Sequence, residues 1–178
     1  MRVWKHFVTI TKHRHLVIKY CFKLGIPWQG LIHDLSKYSS IEFFNGAKFY
    51  QGTRSPNDRE REVKGYSEAW MHHKGRNKHH YEYWTDVNLN TNEYEAVKMP
   101  IKYLKEMFAD RIAASRIYKG NDYTNASPYE YFISHSAIKR MHPESKKIMN
   151  EWLFKLKNEG EKITFKYIKN NYPNSLKY

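Results

Sequence analysis

Trp28-Gln29-Gly30-Leu31-Ile32-His33-Asp34-Leu35-Ser36-Lys37-Tyr38 is the stretch on which the reading of this chain turns. An apolar run, Gly30-Leu31-Ile32, ends in His33-Asp34 and resumes at Leu35. An ionised aspartate at a core-facing position is costly unless it is paired or bound to a metal. Imidazole and carboxylate together suit Zn, Fe, Mn, Co or Ni. The dipeptide alone decides little, because about 0.3 such pairs are expected by chance in a chain with this many His and Asp residues. Its surroundings decide more. A second aspartate, Asp110, has the same problem in Met107-Phe108-Ala109-Asp110-Arg111-Ile112-Ala113-Ala114, where small residues let other helices approach closely.

Working outward from these two segments, apolar residues recur at helical spacing and no segment shows sustained period-2 alternation. Residues 3–24 place Ile10, Val17, Tyr20 and Leu24 on one side and Trp4, Val8, Ile18 and Phe22 on another, which predicts a helix buried over much of its circumference. Gly25 and Pro27 end it. A second helix is expected from about Trp28 to Lys37. A third is capped by Ser39 or Ser40 and runs through Phe49. The next starts after Ser55-Pro56 and reaches His73. Gly75 to about Leu89 reads as an ordered loop. A helix is expected over about Asn92–Tyr118, with a break near Pro100, and further helices start at Ser127-Pro128, at Pro143 and at Ile163. The expected class is all-α: one domain over residues 1–178, of about seven to nine helices, with a basic helical extension from about 143.

The chain has 178 residues and one cysteine, Cys21, so no intrachain disulfide framework is possible. No apolar run is long enough for a membrane span, and the first residues lack the pattern of a signal peptide. A cytoplasmic protein with no membrane partner is expected. The net charge is +13, with +6 on residues 1–40, +1 on residues 41–136 and +6 on residues 137–178. Such a field attracts phosphate, so nucleic acid can bind through the basic ends. The balanced middle, which contains the histidine loop at 72–80, favours a small substrate over a long polyanion.

There are ten histidines, most of them clustered. His13 and His15 lie about 200° apart on a helix and cannot serve one metal. Burial does not separate them, since His13 sides with Ile10, Val17, Tyr20 and Leu24, and His15 with Thr11, Ile18 and Phe22. His72-His73-Lys74-Gly75-Arg76-Asn77-Lys78-His79-His80 is dense enough to hold metal ligands. Within it His73, on a stripe with Val63, Tyr66 and Trp70, should face the core rather than His72. The loop can return His79 or His80, and His80 is taken. Glu106, one turn before Asp110, can orient a ligand histidine or pair with Arg111 or Lys102. Trp70, Tyr81, Tyr83 and Trp84 are read as core rather than as a platform for a base.

This constellation resembles the HD-domain superfamily of metal-dependent phosphohydrolases, and the strings 28–38, 66–77 and 99–115 resemble a narrower family of HD-like proteins over roughly residues 10–155. The resemblance implies an HD-like helical domain. Its first metal would be held by His13, His33, Asp34 and Asp110, where His13 is favoured over His15 because Val17 follows it by four. A second ion, with Asp34 bridging, would add His73 and His80. The implied cofactor is one or two divalent transition metal ions (Mn, Fe, Co, Ni or Zn). The implied reaction is hydrolysis of a small phosphorylated molecule, with a nucleotide as leading candidate. Asp34, Lys37 and Arg76 are the expected catalytic residues, and Lys37 and Arg76 are also expected to bind the phosphate. The His72-His73 start resembles the HD-GYP subgroup, but Lys74 replaces its glutamate and the Gly-Tyr-Pro is absent. Two other classes stay open: a di-iron oxygenase on an HD fold, and a non-catalytic module that binds nucleic acid.

Overall fold

With no Pro and no Gly between Arg2 and Lys23, the first segment forms one continuous helix, α1 (Arg2–Lys23), in the computed structural model, which describes residues 2–134 and 139–175. Gly25 follows at φ +75°, a conformation a residue without Cβ adopts at no steric cost. Then come α2 (Pro27–Ile32), α3 (Ser40–Phe49), α4 (Pro56–Lys64) and α5 (Glu68–Lys74). A hairpin of β1 (Thr85–Asn88) and β2 (Glu93–Ala96) precedes α6 (Ile101–Lys119), α7 (Ser127–Ser134) and α8 (Pro143–Asn171). The protein is all-α, with eight α-helices and one two-stranded hairpin among the described residues. No described helix is long and apolar enough to cross a membrane.

The core lies where α1, α6 and α8 meet. Leu104, Phe108 and Ile112 of α6 and Trp152, Leu153, Leu156 and Ile168 of α8 are fully buried. The Phe108 ring meets Trp152 edge-on at 5.9 Å and Phe165 at 5.8 Å, and Phe165 reaches Tyr20 of α1 at 5.4 Å. Burying a side chain of this size contributes about 2–3 kcal/mol relative to exposing it. Ala109 and Ala113 are also buried, and they let α1 lie close along α6. The segment from 143 is helical throughout, apart from a kink at Gly160 (φ 76°, ψ 174°). Its apolar face makes it a wall of the core rather than an appendage.

Several expected boundaries move. The helix expected to run to Lys37 stops at Ile32. Asp34 takes a left-handed conformation (φ 54°, ψ 24°), and a 3₁₀ turn, Leu35–Tyr38, follows. The expected single helix reaching His73 is two: Gly65 closes α4 at φ 81°, and the Ser67 hydroxyl caps α5 by accepting from the Trp70 amide at 3.0 Å. Residues 92–99 are not helical. Glu93–Ala96 pairs antiparallel with Thr85–Asn88, in register Thr85 with Ala96 and Asn88 with Glu93. Pro100 is therefore the start of α6 rather than a break inside a longer helix. The breadth of burial on α1 is also narrower than expected, because Trp4 and Phe22 are exposed.

Glycine fixes the element that carries the His-Asp pair. A Cβ on Gly30 would lie 2.7 Å from Cys21 Cβ and 3.1 Å from Ile18 Cα. Only glycine lets α2 sit this tightly on α1. Arg14 then clamps the end of α2 from below, donating to the carbonyls of Leu31 and His33.

Candidate metal centre

The buried stripe of α1 carries His13 to α6, where its Nε2 lies 2.9 Å from Asp110 Oδ1 and 3.8 Å from Asp34 Oδ2. His33, just beyond α2, places its Nε2 3.2 Å from Asp34 Oδ2 and 3.6 Å from Asp110 Oδ1. Donor atoms of His13, His33, Asp34 and Asp110 all lie within 4.8 Å of one another. On the other side of the same carboxylate, Asp34 Oδ1 is 3.2 Å from His73 Nε2 and 3.5 Å from His79 Nε2. His80 completes this second group, again within 4.8 Å. Each Asp34 oxygen thus faces a different set of imidazoles.

Two glutamates aim the rings. Glu106 Oε1 accepts from His33 Nδ1 at 2.9 Å and lies 3.0 Å from His79 Nδ1. Glu42 Oε2 accepts from His73 Nδ1 at 2.7 Å, and its Oε1 accepts from His72 Nδ1 at 2.7 Å. A carboxylate on Nδ1 fixes the tautomer that leaves Nε2 free as a donor to a metal. Nε2 of His33, His79 and His80 and Oδ1 of Asp34 are buried without a hydrogen-bond partner, whereas His13 Nε2 lies 2.9 Å from Asp110 Oδ1 and Asp34 Oδ2 lies 2.6 Å from Lys37 Nζ. Buried polar atoms are nearly always satisfied, so four unpartnered atoms in one cluster fit a metal ion as their partner. The charges agree. Asp34, Glu42 and Glu106 are buried and Asp110 is nearly so, yet Lys37 is the one lysine or arginine ion-paired to any of the four among the described residues. A buried His/Asp/Glu cluster able to bind a metal is therefore present, and its donor set fits divalent transition ions.

Electrostatics within the cluster divide the donors: burial opposes the charge on His33 and His73, but Asp34 beside them raises both above the ordinary imidazole value. Burial opposes ionisation of Asp34, but His33, Lys37 and His73 beside it hold its carboxyl well below the usual range. Burial likewise opposes the charge on Asp110, and His13 and His33 outweigh it. Burial lowers His80 well below the ordinary imidazole value, and it lowers His13 more than the adjacent carboxylates raise it. His80 and His13 are thus held as neutral rings, the form that ligates metal.

All six expected donors, His13, His33, Asp34, His73, His80 and Asp110, come together, whereas His15 is exposed. His79 joins the cluster alongside His80 instead of being replaced by it. Glu106 engages His33 and His79 rather than Arg111 or Lys102. Lys37 Nζ sits 2.6 Å from Asp34 Oδ2, with its side chain 30% exposed. Burial opposes its charge, but Asp34 more than compensates and raises its pKa. Arg76 lies outside the cluster: it is exposed and donates to the His72 carbonyl at 3.2 Å. Asn77 turns inward in its place, donating to Ser36 Oγ at 2.8 Å and to the His73 carbonyl at 2.8 Å. Glu42 was not anticipated as a participant. Its one sequence signal is Ser39 three residues before it, which reads as a helix cap, and the Glu42 amide does bond Ser39 Oγ at 3.4 Å.

Glu106→Gln keeps the shape of the side chain but removes the charge that orients two rings at once. Metal affinity is expected to fall by about 10- to 100-fold, the usual cost of losing a carboxylate behind a ligand histidine, with the helical circular dichroism spectrum unchanged. Titration with a chromophoric chelator measures it, and an affinity equal to wild type removes Glu106 from this role.

A family model described as "Family of unknown function (DUF5662)" matches residues 2–155, a span that contains every donor above. No curated protein and no solved structure matches the chain.

Proposed function

The chain belongs to this family of unknown function, so its activity is read from its own donor set, and we propose a metal-dependent phosphohydrolase of the HD type acting on a small phosphorylated molecule. One observation carries the reading: the two oxygens of Asp34 face two separate groups of imidazoles whose Nε2 atoms are aimed inward. His13, His33, Asp34 and Asp110 would hold one ion, and Asp34, His73, His79 and His80 a second. When bound, such ions supply Lewis acidity toward a phosphoryl oxygen and a water acidic enough to ionise near neutral pH.

The chain's own groups bind and orient. Lys37 is the cation nearest the bridging carboxylate, positioned to neutralise charge developing on phosphoryl oxygens. A cavity of about 60 Å³ adjoins it, lined by His6, Thr9, Lys37, Glu42, Tyr50, His73 and Tyr118 among others. Its lining by Lys37, Thr9 and Tyr50 suits a phosphoryl group. Burial, then Lys37, pushes His6 down to about 4, so it lines the cavity as a neutral ring. Trp70 packs edge-on against His80 at 4.7 Å, which leaves it no free face on that side for a base. The substrate is accordingly proposed as a small phosphomonoester, and a nucleotide is one member of the test panel.

Five histidines with two aspartates also suit an iron pair, which favours a di-iron oxygenase as the second reading. Metal analysis of protein purified without a histidine tag separates the two, followed by phosphate release from phosphomonoesters and nucleotides with Mn, Co, Ni and Fe. No release from any of them, with oxygen consumed by an iron-loaded sample, replaces the hydrolase by the oxygenase.

Lys37→Ala tests the assigned role of the lysine. Metal content should stay the same, because the substitution leaves every donor in place and removes a competing cation from Asp34. The value of kcat/KM should fall by about 10²–10³, the usual cost of losing one oxyanion-stabilising group. Loss of metal together with activity would instead make Lys37 a structural partner of Asp34.

A further inference from the structure

The outer surface of residues 2–48 is apolar and cationic at once. Trp4 is 68% exposed, Trp28 67% and Phe44 65%, and Phe22, Leu35 and Ile32 are also exposed. On α1, Trp4, Phe7, Thr11, Ile18 and Phe22 fall within roughly 60° of arc at the helical advance per residue. The 3₁₀ turn and α3 extend this stripe sideways: the Phe7 ring meets Tyr38 at 6.2 Å and Phe43 at 6.5 Å, and Thr11 Oγ1 bonds the Tyr38 hydroxyl at 3.1 Å. Along one flank run Lys5, Lys12 and Lys19, spaced every seven residues, all exposed and without an ion pair among the described residues. The two carboxylates within residues 2–48, Asp34 and Glu42, are both buried in the metal centre, so this segment adds no exposed carboxylate, and Glu161 of α8 reaches the flank at its far end, 4.0 Å from Lys23 Nζ.

We infer that this face docks on an anionic lipid surface: α1 lies along the bilayer with its aromatic stripe at the headgroup level and its lysines on headgroup charge. A patch of large apolar side chains flanked by unpaired lysines is the composition of helices that lie in a membrane interface. A second copy of the chain fits poorly, because pairing the face with itself sets lysine against lysine. Nucleic acid fits poorly as well, since exposed Val3, Leu31, Ile32, Leu35 and Ile41 neither stack on bases nor bond phosphate. The absence of a spanning helix bears on crossing a membrane, not on lying against one. The inference stands apart from the proposed hydrolase activity.

The test is co-sedimentation of the full chain with vesicles of phosphatidylcholine alone and of phosphatidylcholine mixed with phosphatidylserine, at low and high salt. Binding is expected only to the mixed vesicles, reversed by salt, with a blue shift of tryptophan emission that Trp4→Ser with Trp28→Ser removes. Lys5→Gln, Lys12→Gln and Lys19→Gln together should weaken binding on the order of a hundredfold, about fivefold per lysine. These exposed positions are not expected to disturb folding, and the comparison of the two vesicle types needs only the wild-type chain. No binding, or equal binding to both vesicle types, overturns the inference. So does salt-dependent binding of single-stranded nucleic acid without vesicle binding, or a concentration-dependent dimer that Trp4→Ser dissociates.

Discussion

Stripping divalent metal from the purified protein is expected to lower its melting temperature by about 10 °C. A ligand present at a thousand times its dissociation constant stabilises the native state by about 4 kcal/mol, and in a domain of this size each kcal/mol moves the midpoint by roughly 2–4 °C. The destabilisation has a local cause. Without a cation, Asp34, Glu42, Glu106 and Asp110 face one another across a buried cluster with Lys37 as their one ion-paired lysine or arginine among the described residues. Differential scanning calorimetry before and after chelation measures the shift, with metal loss verified separately. Re-addition of Mn, Co, Ni or Fe should restore the midpoint. An unchanged midpoint after verified loss would uncouple the cluster from the stability of the fold.

Asp34→Asn should abolish metal binding at both donor groups and lower activity by at least about a thousandfold. Glu106 also reaches both sets, but at Nδ1 of His33 and His79; among the described residues Asp34 is the carboxylate that faces the inward Nε2 atoms of both, so its charge there has no replacement. Asparagine is the informative replacement. It tolerates the left-handed backbone at φ 54°, where alanine adds strain of about 1 kcal/mol or more. A loss in Asp34→Asn thus reports the carboxylate and not the turn. Asp58→Asn, on a carboxylate held by Arg61 at the surface of α4, serves as the control and should leave metal content unchanged. Retention of a full metal complement in Asp34→Asn would remove the bridging assignment.

The parts of this structure that sequence exposes are those in which burial leaves a periodic trace. α1, α6 and α8 show it clearly. His33-Asp34 and Asp110 stand out because a carboxylate within an apolar run demands a partner. Three features left no such trace. The break between α2 and the 3₁₀ turn occurs at Asp34, with no glycine or proline at that point to announce it. The strands β1 and β2 are four residues each and almost wholly exposed, and the alternation in Glu93-Tyr94-Glu95-Ala96 is too short to stand out as a strand. The choice between His79 and His80 depended on a loop without a period, and both imidazoles turn inward. His73 was placed inward by a stripe through Val63 and Tyr66, but both of those are exposed and lie before or within the break that separates α4 from α5. His73 is buried all the same, on α5 alone rather than on one helix continuous with Val63. Gly65 and Ser67 were the available signals of that break, a C-terminal glycine and an N-terminal cap.

The distribution of the donors along the chain sets an order of events during synthesis. A chain that emerges N-terminus first presents His13, His33, Asp34, Glu42 and the histidines at 72–80 well before residues 101–119 have left the ribosome. Those earlier residues supply all five imidazoles and the shared carboxylate. Both Glu106, which orients two of the rings, and Asp110, which closes the first donor group, arrive on α6. α6 is also the element against which α1 packs, so its docking completes the donor set while α8 has still to cover the core. An ion captured earlier would be held by an incomplete and mobile set of ligands. A metal ion bound here would therefore find its full donor set only after α6 has docked.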